Sequence, residues 1–189
     1  MSRGGEPSLA QVQRFRTSLS KRLGLELDDG KLPALGELLH RRIESTGGTP
    51  ESYLATVEST TPSREELRSL APELTVSETY FFRNVDQFHA LRELVVPTRA
   101  RARAEANAPR RLRILSAGCA SGEEVYSLAI WLRDHPEAAG FELQIEGIDV
   151  NPTALARAAR GRYSPWSFRE TPTEVQEHFF RREGRDLVV

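Results

Sequence analysis

The chain has 189 residues, of which 39% are hydrophobic and 28% charged, with a formal net charge of −1; this suffices for a real core and for more than one compact unit. No apolar run approaches the ~20 residues of a membrane span, the opening M-S-R-G-G-E-P lacks the apolar centre of a signal peptide, and the near-neutral charge leaves no general footprint for nucleic acid. Cys119 stands alone, so no intramolecular disulfide forms, and His40, His89, His135 and His178 lack metal-ligand spacing, so the expectation is a cytoplasmic protein without a metal.

Residues 1–75 read as a helical module without internal repeats. Ser8 with Gln11 three positions on forms a capping box, and Leu9, Val12, Phe15, Leu19 and Leu23 then follow one helix face that Gly24 stops. A turn at D-D-G, 28–30, leads into a second helix over about 31–44 with Leu32, Leu35, Leu39 and Ile43 inward, ended by Gly47-Gly48. Thr49-Pro50 opens a third helix carrying Tyr53, Leu54 and Val57, and Ser63 with Glu66 opens a fourth carrying Leu67 and Leu70.

The composition then changes. V-S-E-T-Y-F-F-R at 76–83 gathers aromatics, a hydroxyl pair and an arginine into a short connector. On the plain reading Tyr80, Phe81 and Phe82 are core at a domain junction; aromatics beside polar groups also suit a ligand that is half purine. Asn84 with Gln87 caps the next helix, in which Phe88, Leu91 and Val95 face inward before Pro97, and 100–108 reads as an exposed helix end. The arginines at 99, 101, 103, 110, 111 and 113 make a local basic run, read as a solvated helix face followed by a basic strand entry.

Leu112, Ile114 and Leu115 form a strand, L-S-A-G-C-A-S-G-E-E at 115–124 a small-residue loop, and Val125, Leu128, Ala129 and Leu132 the buried stripe of a helix over 123–133. Strand, loop and helix make a nucleotide-pocket geometry, in which Gly118 and Gly122 let the backbone pass close to a ligand and the helix start offers unpaired N–H groups. A dinucleotide fits poorly: Ala120 stands where its fingerprint needs the second glycine, and Glu123 and Glu124 would repel a pyrophosphate. Those carboxylates suit the helix dipole and an ammonium group such as that of S-adenosylmethionine; a loop that binds nothing, with the glutamates as dipole partners only, is the alternative. A second alternating strand through Phe141, Leu143 and Ile145 ends at Asp149, 31 positions past Gly118 (149 − 118). An acidic residue there accepts from ribose hydroxyls in doubly wound folds, a topological argument that outweighs simple turn chemistry ahead of Asn151-Pro152. Asn151 caps a further helix closed at Gly161, Thr171 to Glu174 reads as another capping box, and Glu183-Gly184-Arg185 turns into 186–189, a possible third strand.

With V-S-E-T-Y-F-F-R-N at 76–84, L-S-A-G-C-A-S-G-E-E-V-Y-S at 115–127, G-I-D-V-N at 147–151 and A-R-G-R-Y-S at 159–164, nearly the whole chain resembles the CheR-type chemotaxis receptor methyltransferases. The resemblance implies an α/β protein: a small N-terminal helical domain over 1–75, a connector and helix over 76–109, and over 110–189 the first part of a Rossmann-like methyltransferase domain. It implies methyl transfer from S-adenosyl-L-methionine to glutamate side chains of a chemoreceptor-type signalling protein, leaving S-adenosyl-L-homocysteine, with no nucleic-acid partner and no membrane insertion. By position, Thr79 and Arg83 match connector residues that contact the cofactor, and Ser77 falls where some relatives have asparagine. Gly118 and Gly122 line the loop, Glu123 or Glu124 is the acidic contact with Glu124 preferred, and Asp149 is the ribose ligand. Arg99 falls near an arginine tied to substrate positioning in the family.

Two departures qualify this. The second helix, strongly basic in many relatives, here has Lys31, Arg41 and Arg42 offset by Glu37 and Glu44. Family members also continue into further strands that complete the adenosine pocket. The expectation is therefore a fragment, a shorter form, or a chain completed by another copy through self-association of the incomplete sheet, inactive by itself. Two rivals are a non-catalytic module that binds a signalling protein and, disfavoured by the loop, a nucleotide-dependent oxidoreductase.

Overall fold

A computed structural model describes residues 6–59, 64–75, 78–133, 138 and 140–189. The chain divides into two compact units, Met1–Thr75 and Val76–Val189. Among the described residues no helix is long and apolar enough to cross a membrane.

The first unit packs four helices, α1 (Leu9–Leu23), α2 (Leu32–Thr46), α3 (Pro50–Glu58) and α4 (Arg64–Leu74). Ser8 and Gln11 close the expected capping box on α1, and Gly24 ends it with φ +67°. The D-D-G turn becomes a 3-10 turn, Asp29–Lys31, leading directly into α2. Thr49 caps α3 through the amide of Ser52 at 3.2 Å, and Ser52 answers on the Thr49 amide at 2.9 Å. Apart from Leu9, which is 64% exposed at the start of α1, the inward stripes meet in one core in which Phe15, Leu19, Leu39, Leu54 and Leu70 are fully buried.

Polar fastenings reinforce that core. Arg14 on α1 forks to Glu51 and Glu58 on α3, each at 2.9 Å. The balance expected within α2 is instead struck with α4, because Arg41 pairs with Glu73 and Arg42 with Glu66. Of the Ser63–Glu66 capping box, Ser63 lies outside the described residues, and the Glu66 side chain accepts from Arg42 and from the Tyr53 hydroxyl.

In the second unit a helical stretch runs from α5 (Val85–Ala90) through a π turn (Leu91–Val95) into α6 (Val96–Glu105). Strand β1 (Arg111–Ala117), α7 (Glu123–Arg133), β2 (Glu142–Ile148) and α8 (Pro152–Arg160) follow. β1 and β2 pair in parallel from Arg111 opposite Glu142 to Ala117 opposite Ile148, so both carboxyl ends finish side by side. One sheet face, with Leu112, Ile114 and Ile145, joins Val96 and Leu132 in a common core. Beyond α8 come β3 (Arg162–Tyr163), a 3-10 turn (Pro165–Phe168), α9 (Thr173–Phe179) and the hairpin β4 (Arg181–Glu183) to β5 (Asp186–Val188).

The last strand, β5, is not a third strand of the parallel sheet; it is the centre of a separate antiparallel sheet ordered β3-β5-β4. Its alternation is satisfied by Leu187, buried among Phe81, Tyr163, Phe168 and Phe180. Asn84 precedes α5 with left-handed backbone, φ +59°, and makes no side-chain cap; only its carbonyl accepts the Gln87 amide. Val96, not Val95, is buried, because the i→i−5 bond from the Val96 amide to the Leu91 carbonyl widens the helix by one residue ahead of Pro97. The Thr171 hydroxyl is buried without a hydrogen-bond partner among the described residues, so Thr171 does not cap α9.

Candidate functional site

Parallel pairing brings the two strand ends together, and the loop after β1 turns back over β2. The amides of Gly118 and Cys119 both donate to the Ile148 carbonyl, at 2.8 and 3.0 Å, and the Gly122 amide closes the loop on the Cys119 carbonyl. This path needs left-handed backbone at Gly118, Ala120 and Gly122, with φ of +81°, +47° and +92°. A Cβ on Gly118 would meet no atom within 4 Å, so that side of the loop is open. A Cβ on Gly122 would lie 2.7 Å from the Cβ of Ala158, so Gly122 serves the close approach of α8 and not a pyrophosphate.

Asp149, at the tip of β2, points into this loop. Its Oδ2 accepts the Ala120 amide at 2.8 Å and its Oδ1 the Asn151 amide at 2.8 Å. Ribose ligation and turn chemistry, weighed as alternatives from the sequence, are therefore compatible: one carboxylate locks loop and turn and retains further acceptor capacity.

The paired glutamates part company. Glu123 is 2% exposed, and its two oxygens accept from the hydroxyls of Ser121 at 2.7 Å and Ser167 at 3.0 Å. Glu124 is exposed and accepts one hydrogen bond, from Ser116 at 2.7 Å. Tyr163 reinforces the loop by donating its buried hydroxyl to the Ser121 carbonyl at 2.8 Å; burial, with the neighbouring Glu123 charge, pushes its ionisation far up, so it remains a donor. The Cys119 thiol is also pushed up, by burial and then by Asp149, which suits a small packing residue and not a nucleophile.

The connector fastens onto α7. Phe82 donates its amide to the Ser127 hydroxyl at 2.9 Å, Ser127 donates to the Glu123 carbonyl, and the Phe81 amide is held by the Ser167 carbonyl at 2.9 Å. Phe81 is fully buried, stacked on Phe168 at 4.7 Å and edge-on to Tyr163 and Phe180. Of the expected stripe of α7, Leu132 is buried, Val125 and Leu128 are half-buried and Ala129 is exposed; Glu123, Ser127 and Ile130 are buried as well, where the connector bonds to Ser127.

Arg83 is exposed beside this anchor, giving one N–H to the Glu78 carbonyl at 3.0 Å, and Thr79 is half-buried. Ser77 lies outside the described residues. Arg99 is exposed on α6 and makes no hydrogen bond or ion pair among the described residues. Gly118, Gly122, Glu124 and Asp149 thus gather around one loop, with Glu123 behind it and Thr79 and Arg83 on the connector. The roles of Ser116, Ser127, Tyr163 and Ser167 were not read from the sequence, although all but Ser167 lie inside the quoted motifs. A groove of about 460 Å³ lined by Phe82, Trp131, Val175 and Phe179 is apolar and contains none of the expected site residues. No group of three or more histidine, cysteine or acidic side chains is arranged to hold a metal among the described residues.

A family model described as CheR methyltransferase, SAM binding domain, matches residues 77–188. The chain is 32% identical over 169 residues to the probable biofilm formation methyltransferase WspC of Pseudomonas putida, covering 89% of this chain and 38% of that protein. It is 32% identical over 180 residues to chemotaxis protein methyltransferase 2 of Vibrio cholerae, 93% of this chain and 61% of the relative. Identity to chemotaxis protein methyltransferase 1 of Pseudomonas aeruginosa is 29% over 177 residues, 90% of this chain and 62% of the relative. The chain therefore spans less than two thirds of each of these proteins.

Proposed function

The chain belongs to the CheR methyltransferase family, and from that premise we propose that it serves methyl transfer from S-adenosylmethionine to glutamate side chains of a chemoreceptor or related signalling protein in the cytoplasm. The observation that carries this reading is the hydrogen bond from the Ala120 amide to Asp149, which sets a carboxylate with spare acceptor capacity against an open glycine loop. The residues present suit the cofactor. Asp149 is proposed for the ribose hydroxyls, exposed Glu124 for the ammonium, and Arg83, which spends one N–H among the described residues, for the carboxylate. Glu123 is assigned to the scaffold, since both its oxygens are already engaged.

S-adenosylmethionine, when bound, supplies a methyl group on a positively charged sulfur. An acceptor glutamate is ionised at neutral pH, so no residue of the chain has to move a proton. The work of Glu124, Asp149 and Arg83 is orientation, and that of the connector aromatics is exclusion of water from the nucleophile. Among the described residues β1 pairs only with β2, and we propose that turnover requires further strands beside β1. Calorimetric titration with S-adenosylhomocysteine tests the site: Asp149→Ala is expected to weaken binding about tenfold or more, as befits the loss of a charged acceptor. Equal affinity of Asp149→Ala and the parent chain would remove the cofactor assignment.

A further inference from the structure

Beside the connector, aromatic and cationic groups cluster. The Arg169 guanidinium lies 3.9 Å from the Tyr80 ring centroid and 4.6 Å from that of Trp166, and Arg83 lies 5.9 Å from the Tyr80 centroid. A guanidinium packed on an aromatic face keeps N–H groups at its edge for a carboxylate. Arg169 gives one N–H to the Trp166 carbonyl at 2.9 Å, which fixes it further. Trp166 itself is 65% exposed, a large apolar surface left in solvent.

This cluster is wired to the candidate cofactor site. Trp166 belongs to the 3-10 turn whose Ser167 holds Glu123 at the start of α7, and Tyr80 lies on the connector whose Phe82 amide is bound to Ser127. The group now facing Arg169 is a glutamate of the chain itself: Glu78, 66% exposed, at 3.4 Å. That separation is long beside the ~2.7–2.9 Å of a well-formed charged pair.

We propose that Arg169, packed against Tyr80 and Trp166, is the seat for a carboxylate side chain of the acceptor protein, and that Glu78 occupies that seat until the acceptor arrives. The inference rests on the methyl-transfer reading and adds where the acceptor docks. The partner it fits is an acidic segment with apolar surface next to its carboxylate, which Trp166 covers while Arg169 pairs the charge. Glu78 then acts as an internal competitor.

The test uses the 189-residue chain and two probes, an alanine–glutamate peptide and its alanine–glutamine counterpart, with S-adenosylhomocysteine titrated separately. Glu78→Gln is expected to tighten the glutamate peptide about two- to fivefold, the range of one exposed ion pair released from competition. Arg169→Gln is expected to weaken it about tenfold, and Trp166→Ala about threefold or more, with the urea midpoint of each variant measured alongside. The glutamine peptide should bind weakly and respond to neither Glu78→Gln nor Arg169→Gln. Equal binding of the two peptides overturns the proposal, and so does a Glu78→Gln variant that binds the glutamate peptide no tighter than the parent. Failure of the parent to bind S-adenosylhomocysteine counts against the cofactor reading, whereas the docking seat is decided by the peptide series alone.

Discussion

Glu123 and Glu124 are adjacent in sequence and opposite in environment. Removing the buried one leaves the Ser121 and Ser167 hydroxyls without their acceptor, so Glu123→Ala should cost about 1–3 kcal/mol of unfolding free energy in urea. Glu124→Gln should leave the urea midpoint in place and weaken S-adenosylhomocysteine binding, the reverse pattern. Arg83→Ala should cost roughly 1.5–3 kcal/mol of cofactor affinity by calorimetry, with Arg83→Lys recovering only part because the planar fork is lost. Unchanged affinity in both variants would make Arg83 structural. In the helical unit, burial pushes the Glu66 carboxyl up, but its bonds from Arg42 and Tyr53 outweigh this and hold it below the usual 4.5. A carboxyl depressed in the folded state stabilises above its unfolded value and loses that contribution as pH falls. Stability of the parent should therefore drop from about pH 4.5 downward, and Glu66→Gln should flatten that part of a pH series of thermal melts.

At the scale of elements, the glycine loop and its two helices act as one piece. Gly122 has φ +92° and faces Ala158 at a distance no real Cβ tolerates, so Gly122→Ala adds backbone strain to overpacking between α7 and α8. A loss of about 2–4 kcal/mol in urea unfolding is expected, against a smaller one for Gly118→Ala, where only the backbone is strained. The π turn is a second device of this scale. Proline at 97 has no N–H to give and its ring crowds the preceding turn, and the extra residue absorbs this by rotating Val96 inward in place of Val95. A heptad-like reading of 88, 91 and 95 cannot see that rotation, since it assumes a constant 3.6-residue period.

For the whole chain, the uncovered face of the parallel sheet sets the expectations. Arg111, Arg113, Leu115 and Ala117 share it with Glu142, Gln144, Glu146 and Ile148. Its amino-terminal half is closed by the Arg111–Glu142 pair at 2.9 Å and the Arg113–Glu146 pair at 4.0 Å, while Leu115 and Ile148 at the other end are 57% and 53% exposed. Apolar area beside the proposed site, next to an unpaired strand edge, should make the 189-residue chain self-associate, and Leu115→Lys should shift sedimentation profiles toward monomer. Methyl incorporation into a receptor-type protein should be undetectable for the monomer and appear when further strands complete the sheet. Turnover by monomeric chain at a comparable rate would refute the requirement for those strands.

What the sequence by itself determined were features of short range. The caps at Ser8 and Thr49, the stops at Gly24 and Gly47, the strand–loop–helix and the place of Asp149 each depend on residues three or four apart, on the sign of one φ, or on strand order. Only the tertiary structure decided which glutamate is open to solvent, which face of α7 is buried, and that β5 joins a second sheet. The first two turn on hydrogen bonds between residues far apart, 45 positions for Phe82 to Ser127 and 44 for Ser167 to Glu123, and the third on the pairing of β5 with β3, Arg162 opposite Val188. No local pattern encodes them, because a hydroxyl or a carboxylate reads alike in sequence whether its partner is water or a buried amide brought to it by the fold.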